Sequence, residues 1–146
     1  MQPTLTAASA GAAVAALWAA LRVLAFVNAP SFRLHLSDAE THSLMFVPGT
    51  DLLLLAALAL AAAFVARQLC AGPSALQFAF TIATSFILAA PVIFLPALVL
   101  SGRLPIPQLL GPNVVINTHL AYAGCCALLA VVLAASAIRP RVAAGV

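Results

Sequence analysis

The sequence contains little of what a soluble protein needs. It has no lysine, and only 6% of its residues are charged, whereas soluble domains carry about 25%. Hydrophobic residues make up 65% of the 146 positions, and the mean hydropathy is +1.19. This composition excludes an ordinary soluble globule, and a chain of this length leaves little room for a separate catalytic domain.

Cysteines and basic residues are too sparse for two further classes of protein. The three cysteines, Cys70, Cys125 and Cys126, form no Cys-x-x-Cys motif, so neither a disulfide framework nor a zinc site fits, and we expect them to serve as packing residues. The six arginines are scattered singly, whereas nucleic-acid binding needs a basic stripe. We expect all six to reach lipid headgroups from the ends of apolar stretches: Arg22, Arg33, Arg67, Arg103, Arg139 and Arg141.

Long apolar runs fill most of the chain. Residues 52–66 are fifteen consecutive apolar residues, without the regular polar positions of a water-facing helix. Three other stretches have the same character. The sequence therefore predicts an all-α membrane protein, a single domain with four transmembrane helices in an up-down bundle, over residues 7–27, 44–66, 76–100 and 114–138. The first stretch follows no positive charges, so we expect a retained anchor and not a cleaved signal.

Two prolines interrupt the third predicted helix. Pro91 and Pro96 each remove a backbone hydrogen bond, so we expect the helix to be kinked or locally unwound there. In lipid, the carbonyl groups that lose their donors need others. The candidate donors are Thr81, Thr84, Ser85 or a side chain of an adjacent helix.

Small residues recur along the first predicted helix. Ala8, Ala12, Ala16 and Ala20 are spaced by four, with Gly11, Ala15 and Ala19 beside them. This spacing places them on one side of a helix, where small side chains let another backbone approach closely. We expect this side to pack against protein, and Trp18 to reach the membrane interface together with Arg22.

The segment between the first two spans is polar. Residues 37–40 (SDAE) have the pattern of a helix start, which favours a short interfacial helix. The second span begins there and kinks at Pro48, or it begins afresh at Thr50 with Asp51 in its first turn. Four spans put both termini on one side, and three arginines against two favour the matrix side of a mitochondrial inner membrane or the cytoplasmic side of a bacterial plasma membrane.

Polar side chains are predicted to gather toward one face of the bundle, namely His42, Asp51, Asn117, His119 and Tyr122. Two histidines from different helices are what axial haem ligation requires, so His42 and His119 are candidates for binding haem b. A quinone is a second candidate, with His42, Asp51, His119 or Tyr122 donating to its carbonyl. The alternative is that Asn117 and His119 bond neighbouring backbone while His42 lies among headgroups. We expect no cofactor as the first interpretation, with haem b or a quinone as alternatives and with bound lipids.

Asp51 is the most costly residue to place. A carboxylate in hydrocarbon carries a penalty of about 2.5–3.5 kcal/mol on insertion scales. Three environments are open: an interfacial helix start with free amides, a buried pairing with an arginine of this chain or a partner, and a proton path. A proton path would need further ionisable residues within the spans.

Residues 33–40 (RLHLSDAE) resemble the Arg-x-His-Leu-x-Asp-x-Glu segment of membrane-associated glutathione and eicosanoid enzymes, which are four-span chains of similar length. The resemblance implies a homotrimer that binds glutathione between subunits. It covers eight of 146 residues, and the arginine-tyrosine pattern of that family's third helix has no counterpart in residues 76–100.

The first functional interpretation is a small non-catalytic subunit of a larger membrane protein complex, with respiratory or other energy-transducing complexes as the preferred class. Its partners would be other membrane subunits and lipids. The alternatives are a glutathione-transferase-like trimer and an anchor subunit that binds haem or quinone.

Overall fold

The four apolar stretches are four α-helices. The computed structural model describes residues 2–29, 37, 40–41, 48–70, 74–100 and 114–138, and the regular structure in these ranges is entirely helical. The helices are α1 (Pro3–Val27), α2 (Pro48–Leu69), α3 (Ser74–Leu100) and α4 (Val114–Ile138). Each contains a segment long and apolar enough to cross a bilayer. The predicted four-helix membrane bundle is confirmed, and the chain is a multi-pass integral membrane protein.

The helix ends follow from local chemistry. α4 has the predicted bounds, whereas α1 begins earlier, at Pro3. Proline suits a first turn because that position has no intrahelical N–H bond to lose, and both the N–H and the hydroxyl of Thr6 donate to the Gln2 carbonyl at 3.0 Å. α2 begins at Pro48, which places Asp51 in its first turn. The segment that precedes Pro48, residues 42–47, lies outside the described residues.

α1 is the centre of the bundle. Half of its most apolar segment is buried inside the protein, compared with 22–28% for the other three helices. It packs extensively against α4 and α3 and less against α2, whereas α2 and α4 make at most a marginal contact within the described ranges. α1 and α4 are antiparallel, since the Gln2 N–H donates to the Ala137 carbonyl (3.1 Å) and the Ser9 hydroxyl to the Ala130 carbonyl (2.8 Å).

The small residues of α1 allow this central position. Ala12 is fully buried and Ala16 is 9% exposed, while Ala8 and Ala20 are partly buried. At Gly11 the backbone of α1 comes close to α3, because a Cβ there would lie 2.7 Å from the Thr84 Cβ and 3.0 Å from the Ser85 backbone nitrogen. The small-residue side packs against protein, and that protein includes α3 and α4 of the same chain.

Trp18 fills the space where the four helices meet. It is fully buried and packs with Leu55 of α2, Val92 of α3 and Ala123 of α4. The expectation that it reaches the interface is therefore wrong. A large ring is accommodated here because the neighbouring α1 side chains are small, and its polar N–H finds an acceptor inside the protein.

α3 continues as a helix through Pro91 and Pro96, so neither proline unwinds it, and the kink stays a prediction. The expected local donors bond to other carbonyls of α3. The hydroxyls of Thr81, Thr84 and Ser85 donate to the carbonyls four residues earlier, those of Gln77, Phe80 and Thr81. The Tyr122 hydroxyl of α4 donates to the Leu88 carbonyl at 2.7 Å, which has lost no donor to a proline, so a donor supplied by an adjacent helix stays a prediction. This bond lies next to the Ile87 carbonyl, whose helical donor Pro91 removes.

Candidate functional site

Two oppositely charged side chains meet inside the bundle. Nη1 of Arg22, on α1, lies 3.4 Å from Oδ2 of Asp51, on α2, and the two side chains are 2% and 14% exposed. The guanidinium carbon of Arg22 lies 4.8 Å from the centroid of the Trp18 ring. The indole N–H of Trp18 donates to the Asp51 backbone carbonyl at 3.0 Å. Trp18 therefore contacts both members of the ion pair.

The local sequence explains this arrangement. Trp18 and Arg22 are four residues apart, so they share one side of α1. Asp51 lies in the first turn of α2, where the free backbone N–H groups favour a negative charge. Because α1 and α2 are antiparallel neighbours, the last turns of α1 and the first turn of α2 lie at the same end of the bundle.

Asp51 combines two of the environments considered for it. Its side chain lies in a helix first turn and is also paired with an arginine of this chain. The expectation that Arg22 reaches headgroups is wrong, since this residue is 4% exposed. Each charge offsets the other in surroundings of low dielectric, and a desolvated cation over an indole face gains about 2 kcal/mol.

His119 lies at a similar depth on α4. It is 1% exposed, and its Nδ1–H donates a hydrogen bond to the Val115 carbonyl at 2.8 Å. α1 and α4 are in contact at Ser9 and Ala130. Measured from that contact toward the same end of the bundle, Arg22 lies roughly 20 Å along α1 and His119 roughly 17 Å along α4, at about 1.5 Å per residue. A bond from His119 to neighbouring backbone is the arrangement expected where this residue binds no haem or quinone.

The remaining predicted site residues divide between the bundle interior and the part of the chain that is not described. Tyr122 lies one turn from His119 on α4 and packs against the cluster that contains Trp18, while its hydroxyl donates to the Leu88 carbonyl of α3. His42 lies outside the described residues, so the proposed pairing of His42 with His119 stays a prediction. The same holds for most of the segment that resembles the glutathione enzymes, including Arg33 and His35.

Ser37 and Glu40 form a helix start outside the membrane spans. The Glu40 carboxylate accepts hydrogen bonds from the Ser37 hydroxyl (2.7 Å) and the Ser37 N–H (2.9 Å), and the Thr41 N–H donates to the Ser37 carbonyl (2.9 Å). The pKa of Glu40 is lowered by these two bonds, that of the hydroxyl first, because both stabilise the ionised form. These bonds have the capping pattern that the sequence predicts for a helix start, whereas the short interfacial helix stays a prediction because residues 38–39 and 42–47 lie outside the described residues.

A groove follows α1 between α2 and α4. Its larger part has a volume of about 360 Å³, with Ala10, Ala13 and Leu17 of α1 on one side and Leu58 and Val65 of α2 on the other. An adjoining part of about 220 Å³ extends to α4 at Ala134. Leu17 is 49% exposed and Val65 is 59% exposed. The groove is thus apolar, and it exposes part of the helix that is otherwise most buried.

Comparison with known proteins does not assign the chain to a class. No family model, no curated protein and no solved structure matches it. Within the described ranges, no group of three His, Cys, Asp or Glu residues could hold a metal ion. Cys70, Cys125 and Cys126 are free thiols.

Proposed function

We propose that the chain is a small non-catalytic integral membrane subunit that packs within a larger membrane protein complex. Respiratory and other energy-transducing complexes are the class to test first. The observation that carries the proposal is the groove along α1, where α2 and α4 leave the central helix uncovered. A transmembrane helix of another subunit is the proposed occupant.

The lining of the groove supports a helix as the occupant. Ala10 and Ala13 form a small-residue surface on α1, and such surfaces let a second helix approach closely in lipid, where van der Waals packing drives association. A volume of about 360 Å³ is near the lower limit for a ligand pocket, about 300–1,000 Å³. The groove suits a ridge of side chains on a neighbouring helix better than an enclosed small molecule.

The polar contacts support a structural role for the bundle interior. Arg22 and Asp51 offset each other's charge, and Ser9 and Tyr122 donate to backbone carbonyls of facing helices. These interactions join the helices of one chain to one another. Partner subunits would therefore contact the apolar groove along α1, and lipids would cover the remaining exposed apolar faces.

The proposal includes a membrane and an orientation. The chain would lie in a mitochondrial inner membrane or a bacterial plasma membrane, with its termini on the matrix or cytoplasmic side. The support is the excess of arginine on the side of Arg67, Arg139 and Arg141 over the side of Arg33 and Arg103.

Filling the groove tests the proposal. Ala13→Leu adds bulk to the groove, whereas Ala83→Leu adds the same bulk to an exposed position on α3. After extraction in a mild detergent and native electrophoresis, the wild type and Ala83→Leu are expected in a particle much larger than one 14.9 kDa chain, and Ala13→Leu is expected to be released. A wild-type chain that migrates alone, or an Ala13→Leu variant retained as well as its control, would contradict the proposal.

A further inference from the structure

The side-chain amide of Gln77 is buried at the start of α3. Gln77 is the fourth residue of that helix and is 4% exposed. Neither its Nε2 nor its Oε1 makes a hydrogen bond. Buried side-chain amides in proteins nearly always have partners, so an amide in this position is expected to bind something.

Polar side chains continue along the same side of α3. Gln77, Thr81 and Ser85 recur every fourth residue, and Thr81 and Ser85 are fully buried. The Thr81 hydroxyl donates to the Gln77 carbonyl at 2.9 Å, and the Ser85 hydroxyl donates to the Thr81 carbonyl at 2.8 Å. Each hydroxyl proton is thus used, while each hydroxyl oxygen keeps acceptor capacity. The Thr81 oxygen lies one helical turn from the Gln77 amide.

This side of α3 faces the small-residue side of α1. Gly11 approaches Ser85 closely, and α1 and α3 run in parallel, so Ala7 lies at the level of Thr81, one turn earlier in each helix. Ala7 is 1% exposed and has no polar side-chain group. At the level of Gln77, one turn earlier again, α1 begins with Pro3, which has neither a polar side chain nor a backbone N–H. The two polar atoms of the Gln77 amide therefore suit a small molecule that both accepts and donates hydrogen bonds. Water has this property, and immobilising it costs less free energy than leaving a buried amide unpaired.

We propose that the interface between α1 and α3 contains a buried water-binding site. The bound water accepts a hydrogen bond from Gln77 Nε2, donates one to Gln77 Oε1, and donates another to the Thr81 hydroxyl oxygen. Buried waters typically make about three such bonds to polar groups that lack protein partners.

Magnetic resonance of the full chain in lipid nanodiscs tests the site. With ¹⁵N-labelled glutamine side chains, the Gln77 amide protons are expected to show a cross-peak to water, with the relative NOE and ROE signs of a long-lived bound molecule. Gln68 is exposed near the end of α2, at the same end of the bundle, and is expected to show only bulk water. Absence of the Gln77 cross-peak, or the bulk pattern at Gln77, would overturn the proposal.

Two variants locate the water further. Thr81→Val keeps the shape but removes one partner of the water, so it is expected to weaken the Gln77 cross-peak. Gln77→Met is expected to leave the unfolding equilibrium constant within a few-fold of wild type, whereas an empty site would make this variant more stable by roughly tenfold or more. An unchanged cross-peak in Thr81→Val, or that gain in stability, would overturn the proposal.

Discussion

Replacing Asp51 by asparagine would leave the Arg22 guanidinium buried without its counter-charge. The Arg22 side chain is 2% exposed, so it does not regain hydration unless α1 moves. Removing one partner of a buried ion pair destabilises a protein by about 3–5 kcal/mol, and we expect a loss in this range for Asp51→Asn. Arg22→Met is expected to cost less, about 1–3 kcal/mol, because the remaining carboxylate is 14% exposed and stays in a helix first turn that favours it.

The chain contains its own reporter for this experiment. Trp18 is the only tryptophan and stacks on Arg22, so its fluorescence follows unfolding of the site during an SDS titration in mixed micelles. The double variant Arg22→Met with Asp51→Asn is expected to lose less stability than the two single variants lose together, by at least about 1 kcal/mol. The exposed Arg67 provides the control, and Arg67→Met is expected to change stability by less than about 0.5 kcal/mol. Additive single effects, or losses no larger than that of the control, would refute the ion pair as a coupled unit.

Three further predictions concern packing, an interhelical bond and pH. Gly11→Ala is expected to lower the free energy of unfolding by about 1–3 kcal/mol through overpacking against α3. At Gly124 a Cβ meets nothing within 4 Å, so Gly124→Ala is expected to raise the free energy of unfolding by up to about 1 kcal/mol. Equal effects of the two variants in the same SDS titration would contradict the close approach of α1 to α3. Tyr122→Phe removes the 2.7 Å bond to α3 and is expected to cost about 0.5–1.5 kcal/mol, so no loss would contradict a role for that bond. The pKa of Glu40 is lowered, so its stabilising bonds from Ser37 are present above the ordinary glutamate value of 4.5 and are lost as the pH falls through the lower folded value. The Ser37 amide resonance is expected to report that loss, and a titration at the ordinary value would contradict it.

The sequence predicts the existence of the helices better than their arrangement. Lipid offers no hydrogen bonds, so an apolar run of sufficient length must be helical, and α4 has the predicted bounds. Orientation around each helix axis is different, because helices that are apolar on every side carry no stripe that faces a core. The alanine spacing on α1 indicated a packing side, but not that α3 and α4 would cover it.

Arg22 shows why the ion pair is harder to predict from the sequence than the helices are. An arginine near the end of a span reaches headgroups in one rotation of its helix and a buried partner in another, and the residue type is the same in both. The spacing of Trp18 and Arg22 was the available signal, since a ring and a cation four residues apart share one side of a helix. Choosing between the two required knowing that the first turn of α2, with Asp51, packs beside them.

Photo-crosslinking in the native membrane tests the proposed subunit role most directly. Leu17 of α1 lines the groove and is 49% exposed, whereas Ile87 of α3 lies outside it and is 69% exposed. With a photoreactive residue at each position in turn, we predict that Leu17 forms a crosslink to one defined membrane polypeptide and that Ile87 forms crosslinks to lipid. Crosslinks to lipid alone from both positions would contradict the account.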